Sequence, residues 1–321
     1  MKNLRKLLAP LSIILLSVIV FSSCKKDDPV VVTPPKDITD VAIGDPQFSI
    51  LVAALGKAEL VNTLKGTGPF TVFAPNNAAF TKAGITSLDN QTKASLTPIL
   101  TTHVLSGTVK AADVKSGTAK TVNANNDIYL SKNADGVFIN GSIKVIATDV
   151  TASNGVVHVI DNVIIPPTAS IVGIATSTAN KATFSDLVEF VMAAGLDGTL
   201  SGASATGFTV FAPTNAAFTE LYKTYPKATL LLPANKALLT RVLLYHVVPG
   251  RVFSTDLPNV GAAEVATVGA GTNSGDKLTF DLAGGAKVKG ISSGNSNIVL
   301  ANLLATNGVV HVIDKVLVPK L

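Results

Sequence analysis

The sequence of 321 residues contains no tryptophan, one cysteine and only 5% aromatic residues. A single cysteine excludes a disulfide within the chain, so any folded domain must be stable through the burial of its core. Charged residues are also scarce, at 15%, and no cluster of Lys and Arg with interleaved aromatic residues occurs. Because such a cluster is the footprint of nucleic-acid binding, we predict that the chain has no nucleic-acid partner.

Residue types suited to metal or catalytic chemistry are few as well. The four histidines occupy two repeated positions, His103 with His246 and His158 with His311, and no His-x-x-x-His, cysteine cluster or run of acidic ligands accompanies them. His158 and Asp161 are an odd number of residues apart on a predicted strand, so their side chains point to opposite faces and cannot pair. Nucleophile-elbow signatures are missing too. We therefore predict no catalytic residue, no metal and no cofactor.

Residues 1–23 are predicted to be a secretory signal peptide. Lys2, Arg5 and Lys6 precede an apolar run, Leu7 to Phe21, that is too short for the roughly 20 residues that span a bilayer. The only cysteine, Cys24, follows two serines at the end of this run, as in the lipobox of bacterial lipoproteins. We predict that Cys24 becomes the first residue of the mature chain and carries the lipid. Removal of the peptide leaves 23 basic against 21 acidic residues, which is nearly neutral.

Residues 24–36 are predicted to be a tether, kept extended by Pro29, Pro34 and Pro35. The run of two lysines and two aspartates from Lys25 to Asp28 resembles a signal that sends bacterial lipoproteins to the outer face of the outer membrane. A solvated charge cluster in a linker explains the run equally well. We predict an outer-membrane lipoprotein exposed at the cell surface, with the periplasm-facing orientation as the alternative.

Two stretches occur twice in the same order, which indicates a tandem duplication. Thr71–Phe80 returns as Thr209–Phe218, and Asn154–Pro166 returns as Asn307–Pro319. The offset between the copies grows from 138 to 153 residues without a break in order, as small loop insertions produce. Each closing stretch starts with Asn-Gly, typical of a tight turn, and continues as a β-branched run up to a proline, which predicts a core strand. The predicted domains are residues 37–167 (domain 1) and 168–321 (domain 2).

The periodicity of apolar residues predicts helices first and strands after them in each copy. Helical spacing places Phe48, Leu51, Val52 and Leu55 on one face, and Phe184, Leu187, Val188 and Val191 on the matching face, with Thr183 available as a cap. A second helix is predicted at Pro233–His246, and its counterpart in copy 1 is interrupted by Pro98. The hairpins are Ile128–Leu130 with Val137–Ile139 and Lys277–Phe280 with Lys287–Lys289, followed by strands at 143–146 and 298–300. The fold class is α+β with an antiparallel sheet.

Small polar residues follow the first strand in both copies. Asn76 or Asn77, and Thr214 or Asn215, lie between an Ala-Pro break and a helical pattern, so one of each pair can cap the helix. His246 comes four residues after Val242 and shares its helix face. For a histidine in that position, a hydrogen bond to a backbone carbonyl is the favoured interpretation.

Three stretches of copy 2 carry a resemblance to a known family. Thr-Val-Phe-Ala-Pro-Thr-Asn-Ala-Ala-Phe, Tyr-His-Val-Val-Pro-Gly and Asn-Gly-Val-Val-His-Val-Ile-Asp resemble the signature stretches of the fasciclin domain, and both copies show them in the family's order. The resemblance covers residues 37–321. It implies two tandem fasciclin-like domains, each a wedge-shaped antiparallel β-sandwich with packed helices. It also implies secreted or membrane-anchored proteins of adhesion and extracellular matrix, without catalytic residues.

The resemblance also implies residues for partner binding. In animal members of the family, the Tyr-His stretch and a position in the first signature have been connected with integrin binding. The matching residues in this chain are Tyr245, His246, Thr214 and Asn215 in copy 2, and His103, Asn76 and Asn77 in copy 1, where Thr102 stands in place of the tyrosine.

We therefore predict a non-enzymatic, surface-anchored adhesion or interaction module that binds cells, matrix or envelope proteins. The alternative is a glycan-binding accessory lipoprotein of a polysaccharide-uptake system. With no Trp and four Tyr, the chain has few rings on which a sugar could stack, which favours the first hypothesis. In both, the chain attaches to a membrane through its N-terminal lipid.

Overall fold

A computed structural model describes residues 35–202, 204, 206–257, 263–271, 275–283 and 285–320. The predicted signal peptide, Cys24 and the tether up to Pro34 lie outside these residues. In the described ranges, no helix is both long and apolar enough to cross a membrane. The residues from Pro35 onward belong to one compact unit, so contacts between the two copies can be described.

Domain 1 begins with helices and ends with strands. Its helices are α1 (Ile38–Ile43), α2 (Ser49–Lys57), α3 (Val61–Leu64), α4 (Asn77–Lys82) and α5 (Lys93–Thr102), with a turn of 3-10 helix at Pro46–Phe48. Its strands are β1 (Phe70–Pro75), β2 (Val104–Ser106), β3 (Gly117–Ala119), β4 (Ile128–Asn133), β5 (Gly136–Ile139), β6 (Ile143–Ala152) and β7 (Gly155–Ile160).

Domain 2 repeats this order with longer helices. The helices are α6 (Ile171–Thr176), α7 (Lys181–Ala194), α8 (Asp197–Ser201), α9 (Asn215–Tyr222), α10 (Lys227–Leu230) and α11 (Lys236–Tyr245), with 3-10 turns at Pro233–Asn235 and Val268–Gly271. The strands are β8 (Phe208–Pro213), β9 (Val247–Pro249), β10 (Val265–Ala266), β11 (Lys277–Asp281), β12 (Lys287–Gly290), β13 (Gly294–Ala305) and β14 (Gly308–Ile313).

The sheets confirm the α+β class but are mixed, so the prediction of a purely antiparallel sheet is wrong. The strand orders are β2-β1-β7-β6-β5-β4-β3 and β10-β11-β12-β13-β14-β8-β9. The closing strand of each domain runs parallel to the first strand, with Phe70 opposite Gly155 and Phe208 opposite Gly308, whereas the other pairings are antiparallel. Parallel strands need a long crossover, and here more than half of each domain lies between the two strands.

The glycine of each Asn-Gly pair is required by this parallel pairing. A Cβ atom on Gly155 would lie 2.0 Å from the carbonyl oxygen of Phe70, and one on Gly308 would lie 2.2 Å from that of Phe208. Real Cβ atoms do not approach a backbone oxygen that closely. Any other residue at these positions would push the first strand away from the closing strand.

Each domain has two hydrophobic cores on opposite sides of the strands β1 and β7 or β8 and β14. In domain 1 one core joins the helices to Val72 and Val157, whereas the neighbouring residue Phe73 belongs to a second core with residues of β2, β4, β5, β6 and β7. Strands from the two ends of the sheet share this second core, so the sheet folds over itself as a sandwich. Register shifts in β6 allow the bend.

The predicted helix faces are confirmed, with two corrections. Phe48, Leu51 and Leu55 are buried, as are Phe184, Leu187 and Val191. Pro98 does not interrupt its helix but lies inside α5, because the buried Leu96 and Leu100 hold the helix against the core and outweigh the local cost of proline. Thr183 is not a cap; it lies within α7, which bends at Phe184, a residue with non-helical φ and ψ.

The predicted hairpins are confirmed as β4 with β5 and β11 with β12. The strands β6 and β13 are longer than predicted, and the closing strands are shorter, ending well before Pro166 and Pro319. In domain 1 the reason is visible in the register: Ile160 pairs with Pro75, where β1 ends, so the closing strand has no partner beyond that point.

Candidate functional site

The histidines at the ends of α5 and α11 are buried, and each connects two backbone segments by hydrogen bonds. His103 and His246 are 2% and 3% exposed. The Nδ1 of His103 donates to the carbonyl of Ile99 at 2.8 Å, and its Nε2 accepts from the backbone N–H of Ile164 at 3.0 Å. His246 makes the same two bonds, to Val242 at 2.8 Å and from Leu317 at 2.8 Å. The prediction that His246 bonds to a backbone carbonyl is therefore confirmed, and the acceptor is Val242.

The pKa of both side chains follows from this burial. Desolvation lowers the pKa of His103 and of His246 to about 4. At neutral pH each ring is uncharged and uses one nitrogen as a donor and the other as an acceptor. Neither nitrogen is left to bind a metal or to exchange a proton with a substrate.

The second histidine pair lies on the closing strands. The Nε2 of His158 donates to the carbonyl of Val109 at 2.8 Å, and its Nδ1 accepts from the N–H of Asp149 at 3.2 Å. His311 bonds likewise to Val252 at 2.8 Å, and burial lowers its pKa to about 4. Each ring stacks on a phenylalanine of the neighbouring parallel strand, with centroids 5.5 Å apart.

The aspartates near these histidines have other partners. Asp161 forms an ion pair with Lys82 at 2.8 Å and accepts from the backbone N–H of Lys144 at 2.8 Å. Asp314 accepts from Ser296 and Asn297. In the part of the chain that the structure describes, no group of three or more His, Cys, Asp or Glu side chains could hold a metal ion.

Tyr245 is fully buried, at 0% exposure, and joins the start of β11 to the turn that follows β12. Its hydroxyl donates to the carbonyl of Lys277 at 2.8 Å and accepts from the N–H of Ile291 at 2.9 Å. Desolvation raises the pKa of this hydroxyl. Thr102, its counterpart in domain 1, is also buried and accepts from Asn123 at 2.9 Å. In both copies the position therefore connects the end of a helix to a later segment of the same domain.

Replacing Tyr245 with Phe tests whether its role is structural. The Tyr245→Phe variant loses both hydrogen bonds and leaves the Lys277 carbonyl and the Ile291 N–H without a partner, so we expect the free energy of unfolding to fall by about 2 kcal/mol. Urea denaturation of the full chain measures the loss. Tyr225→Phe, at a tyrosine that is 38% exposed, is the control and should have wild-type stability. Equal stability of the two variants would contradict a structural role for Tyr245.

The polar residues after β1 and β8 have two roles: one of each pair caps a helix, and the other connects that helix to an earlier one by hydrogen bonds. Asn76 caps α4 by accepting from the N–H of Ala79 at 2.8 Å, and Thr214 caps α9 by accepting from Ala217 at 3.3 Å. The capping prediction is thus confirmed for these members of each pair. Asn77 instead accepts from the N–H of Ile50 and donates to the carbonyl of Pro46.

Asn215 repeats the role of Asn77 in domain 2. It accepts from the N–H of Asp186 at 3.1 Å and donates to the carbonyl of Ala182 and the hydroxyl of Ser185, both at 2.8 Å. In each copy, one side chain thus joins the start of the helix after the first strand to the start of an earlier helix. These capping and connecting residues are half-buried.

Two further asparagines form a structural site that the sequence analysis missed. Asn154 accepts from the N–H of Ile38 at 3.0 Å and donates to the carbonyls of Leu64 and Gly66 at 2.7 and 2.9 Å. Asn307 forms the matching three bonds in domain 2. The repeated Asn-Gly pair suggested only a turn; the amide side chain in fact ties the first helix and the third helix to the closing hairpin.

The structure therefore separates the residues predicted to bind a partner. The side chains of Tyr245, His246 and His103 are buried and bonded to backbone groups, so they are not available to a partner as they lie. Asn76, Asn77, Thr214 and Asn215 form one half-buried polar site in each copy, at the N-termini of α4 and α9. Binding through any of these residues stays a prediction.

The chain is similar to a family and to several known proteins. The fasciclin domain model matches residues 46–166 and 182–319. Protein sll1483 of Synechocystis is 43% identical over 134 residues, which is 40% of this chain and 73% of that protein. The immunogenic protein MPB70 of Mycobacterium bovis is 35% identical over 133 residues, covering 39% of this chain and 67% of MPB70. Human periostin is 28% identical over 277 residues, which is 82% of this chain but only 30% of periostin.

Among solved structures, the chain matches a FAS1 domain pair from the insect cell adhesion molecule Fasciclin I. The TM-score is 0.41 with 21% sequence identity, and the match covers 86% of this chain and 94% of that chain.

Proposed function

Because the chain belongs to the fasciclin domain family, we propose that it is a non-enzymatic adhesion or interaction protein that acts outside the cytoplasm and binds a protein partner on cells, matrix or envelope. The observation that carries the proposal is the family match of both copies, over residues 46–166 and 182–319. Fasciclin domains belong to proteins of adhesion and extracellular matrix. Two such domains in one chain present two related surfaces.

The anchor in this proposal is a lipid on Cys24. The tether up to Lys36 then separates domain 1 from the membrane, by roughly 3 Å for each extended residue. Attachment to a membrane follows from the lipobox-like sequence, and the run from Lys25 to Asp28 favours the outer membrane. Exposure at the cell surface is the orientation that suits binding to other cells.

The histidines and Tyr245 support a non-enzymatic function. Their polar atoms are bonded to backbone groups, and the three histidines with pKa of about 4 stay neutral near pH 7. General acid or base catalysis needs a group that titrates near the working pH and reaches a substrate. His103, His246 and His311 do not titrate near pH 7, and the ring nitrogens of His158 and the hydroxyl of Tyr245 are bonded to backbone groups, so we assign all of these side chains to the scaffold.

The accessible part of the predicted binding set is the half-buried polar site at the N-termini of α4 and α9. It combines Asn76 with Asn77 in domain 1 and Thr214 with Asn215 in domain 2. Small polar side chains of this kind donate and accept hydrogen bonds without a large desolvation cost, which suits a protein interface rim. We propose these sites as the contact points with the partner.

Whole cells test the function. A strain that displays the full chain is compared with a deletion strain for binding to immobilised cells, matrix proteins and envelope proteins, with a glycan array in parallel. Binding to proteins or cells supports adhesion. Binding to glycans alone would instead support the polysaccharide-uptake alternative, and turnover of an ester, glycoside or peptide panel would overturn the non-enzymatic assignment.

A Cys24→Ala strain is the matched control for the anchor. We expect the variant chain to be released from the membrane fraction, so the cells lose adhesion while the released chain still binds the same targets. Retention of the variant in the membrane fraction would contradict lipid attachment at Cys24 but would leave the binding function untouched.

A further inference from the structure

A loop of domain 2 docks directly on the sheet of domain 1. The loop comprises residues 252–257, after β9, and we call it the docking loop. The hydroxyls of Thr255 and Ser131 lie 2.7 Å apart, and the Asn133 side chain donates to the carbonyl of Thr255 at 3.0 Å. Ser131 and Asn133 belong to β4 of domain 1. The two domains are therefore joined by specific hydrogen bonds in addition to their linker.

An aromatic side chain fills the centre of this junction. Phe253 has 0% exposure, and its ring packs on Tyr129 of β4 with centroids 5.0 Å apart. It also lies against Gly141, where a Cβ atom would be 2.5 Å from the Cβ of Phe253. Only glycine leaves room for the ring at that position.

Asn302 of β13 fastens the loop from the other side. Its Nδ2 donates to the carbonyl of Gly141 in domain 1 and to the hydroxyl of Ser254, both at 2.7 Å. Its Oδ1 accepts from the N–H of Ser254 at 2.9 Å. One amide side chain thus bonds both domains at once.

Domain 1 contains the same loop without a domain docked on it. The same backbone bond closes the turn in both copies, from Asp113 to Lys110 and from Asp256 to Phe253, each at 2.9 Å. Lys110 and Asp113 are exposed, whereas Phe253 and Asp256 are buried. The loop of domain 1 therefore serves as an undocked reference for the docking loop of domain 2.

At the junction, one buried carboxylate has a hydrogen bond to only one of its two oxygens. Asp256 is 7% exposed; its Oδ2 accepts from the N–H of Phe253 at 2.9 Å, but its Oδ1 has no hydrogen-bond partner. An ionised carboxylate with an unpaired oxygen is costly to bury, whereas the protonated acid is much less so.

The charged groups around the junction do not compensate Asp256. Tyr129, across the interface, is neutral at physiological pH. Arg251 donates to the carbonyl of Thr306, and its charge interacts with Asp127, which pairs with Lys120 at 2.6 Å. Protonation is then the remaining way to relieve the carboxylate.

We propose that docking of the two domains takes up a proton at Asp256, so that the junction tightens as the pH falls. Desolvation raises the pKa of Asp256 in the docked state, which agrees with this geometry. In the undocked state the carboxyl is exposed, as that of Asp113 is, and this desolvation is absent. Since the docked state binds the proton more tightly, protonation favours docking, and ionisation at higher pH opposes it.

A thiol placed under the docking loop measures opening of the junction. In the full chain with Cys24→Ala, Ser131→Cys introduces a thiol at a position with 0% exposure, and Ala112→Cys places one at an exposed position of the free loop in domain 1. The ratio of their labelling rates at each pH gives a protection factor that cancels the pH dependence of the thiol itself.

The test compares the wild-type Asp256 with Asp256→Asn, an uncharged side chain of the same shape. We expect Asp256→Asn to protect the Ser131→Cys thiol more strongly at pH 8, by about tenfold for each unit by which burial raises the pKa. The difference should shrink as the pH falls through the raised pKa of the docked carboxyl, and it should disappear only below the ordinary carboxyl pKa of about 3.9, where both states are protonated. Equal protection at pH 8, or a difference that is as large at pH 4 as at pH 8, would overturn the proposal.

Two further variants confirm that the thiol reports docking. Phe253→Lys, which copies Lys110 of domain 1, should abolish protection at every pH. Gly141→Ala should do the same by steric exclusion, and Gly84→Ala is its matched control, since Gly84 has a similar positive φ of 75° and no atom within 4 Å of the added Cβ. Loss of protection with Gly84→Ala, or full protection with Phe253→Lys, would mean that the domains do not dock through this loop.

Discussion

Lowering the pH from 7 to 5 will destabilise the folded chain by several kcal/mol, because three histidines are buried in their neutral form. Burial holds the pKa of His103, His246 and His311 at about 4, against about 6.5 in the unfolded chain. Between pH 4 and pH 6.5 these histidines are protonated in the unfolded state but stay neutral in the folded state. The contribution of each neutral histidine to the free energy of unfolding is therefore fully present above pH 6.5 and decreases as the pH falls toward 4. At pH 4 the loss is about 3 kcal/mol for each histidine.

Urea denaturation at pH 7.5, 6 and 5 measures this loss. Three carboxyl groups with lowered pKa values do not contribute to the change between pH 7.5 and 5. Asp37, Asp45 and Asp314 lose their stabilising contribution only below the ordinary pKa range of a carboxyl group. Asp256 acts in the opposite direction, since a raised pKa stabilises the folded chain as the pH falls.

A histidine variant separates this cause from a general acid effect. Gln in place of His311 can still donate to Val252 through its amide but cannot take up a proton, so His311→Gln should be less stable at pH 7.5 and lose less on acidification. A wild-type chain whose stability is flat from pH 7.5 to 5 would show that the histidines are protonated in the folded state.

Asn307→Ala will lose about 3 to 5 kcal/mol of unfolding free energy, the largest loss that we expect from one substitution. Its amide accepts from Ile171 at 2.9 Å and donates to the carbonyls of Leu200 and Gly202 at 2.7 and 3.0 Å. Removing the amide leaves three backbone groups without a partner, and each unsatisfied buried group costs about 1 to 3 kcal/mol.

Thermal or urea unfolding of the full chain measures this effect. Asn154→Ala should reproduce it in domain 1, where the same three bonds occur. Asn125→Ala, at an exposed asparagine, is the control and should change stability by less than about 0.5 kcal/mol. A loss below 1 kcal/mol in Asn307→Ala would show that water replaces the amide.

Patterns of local spacing predicted most of the secondary structure. The 3.6-residue period at Phe48, Leu51 and Leu55 and the alternation of Val137 and Ile139 depend on the burial of one face, and both were confirmed. The bond between His246 and Val242 was also predictable, because it joins residues four apart on one helix.

Long-range relations were not predictable from spacing. The parallel pairing of Phe70 with Gly155 joins residues far apart in sequence, and nothing near either one sets the direction of the partner strand. The burial of Tyr245 has the same origin: its partners, Lys277 at the start of β11 and Ile291 just after β12, are more than 30 residues away in sequence. The capping pattern, in contrast, is local, which is why Asn76 and Thr214 could be identified.

The docking of the two domains lies furthest from sequence reasoning. The docking loop and the free loop of domain 1 share a turn, and one of the differences between them, Phe253 against Lys110, is a local signal of an interface. A large apolar residue in one copy of a repeat, opposite a charged residue in the other, is a useful indication of contact between the copies.

The parallel pairing of the first and closing strands also has a kinetic consequence. Every domain must bring Phe70 to Gly155, or Phe208 to Gly308, before its central ladder exists. Chains dominated by such distant pairings fold slowly, on millisecond to second scales. The entropy cost of closing the long loop comes before the free-energy gain of the contacts that the loop brings together. While a domain is being synthesised it therefore lacks its central ladder until the final strand emerges. A nascent chain in that state stays extensible, which is the condition that passage through a narrow export channel requires.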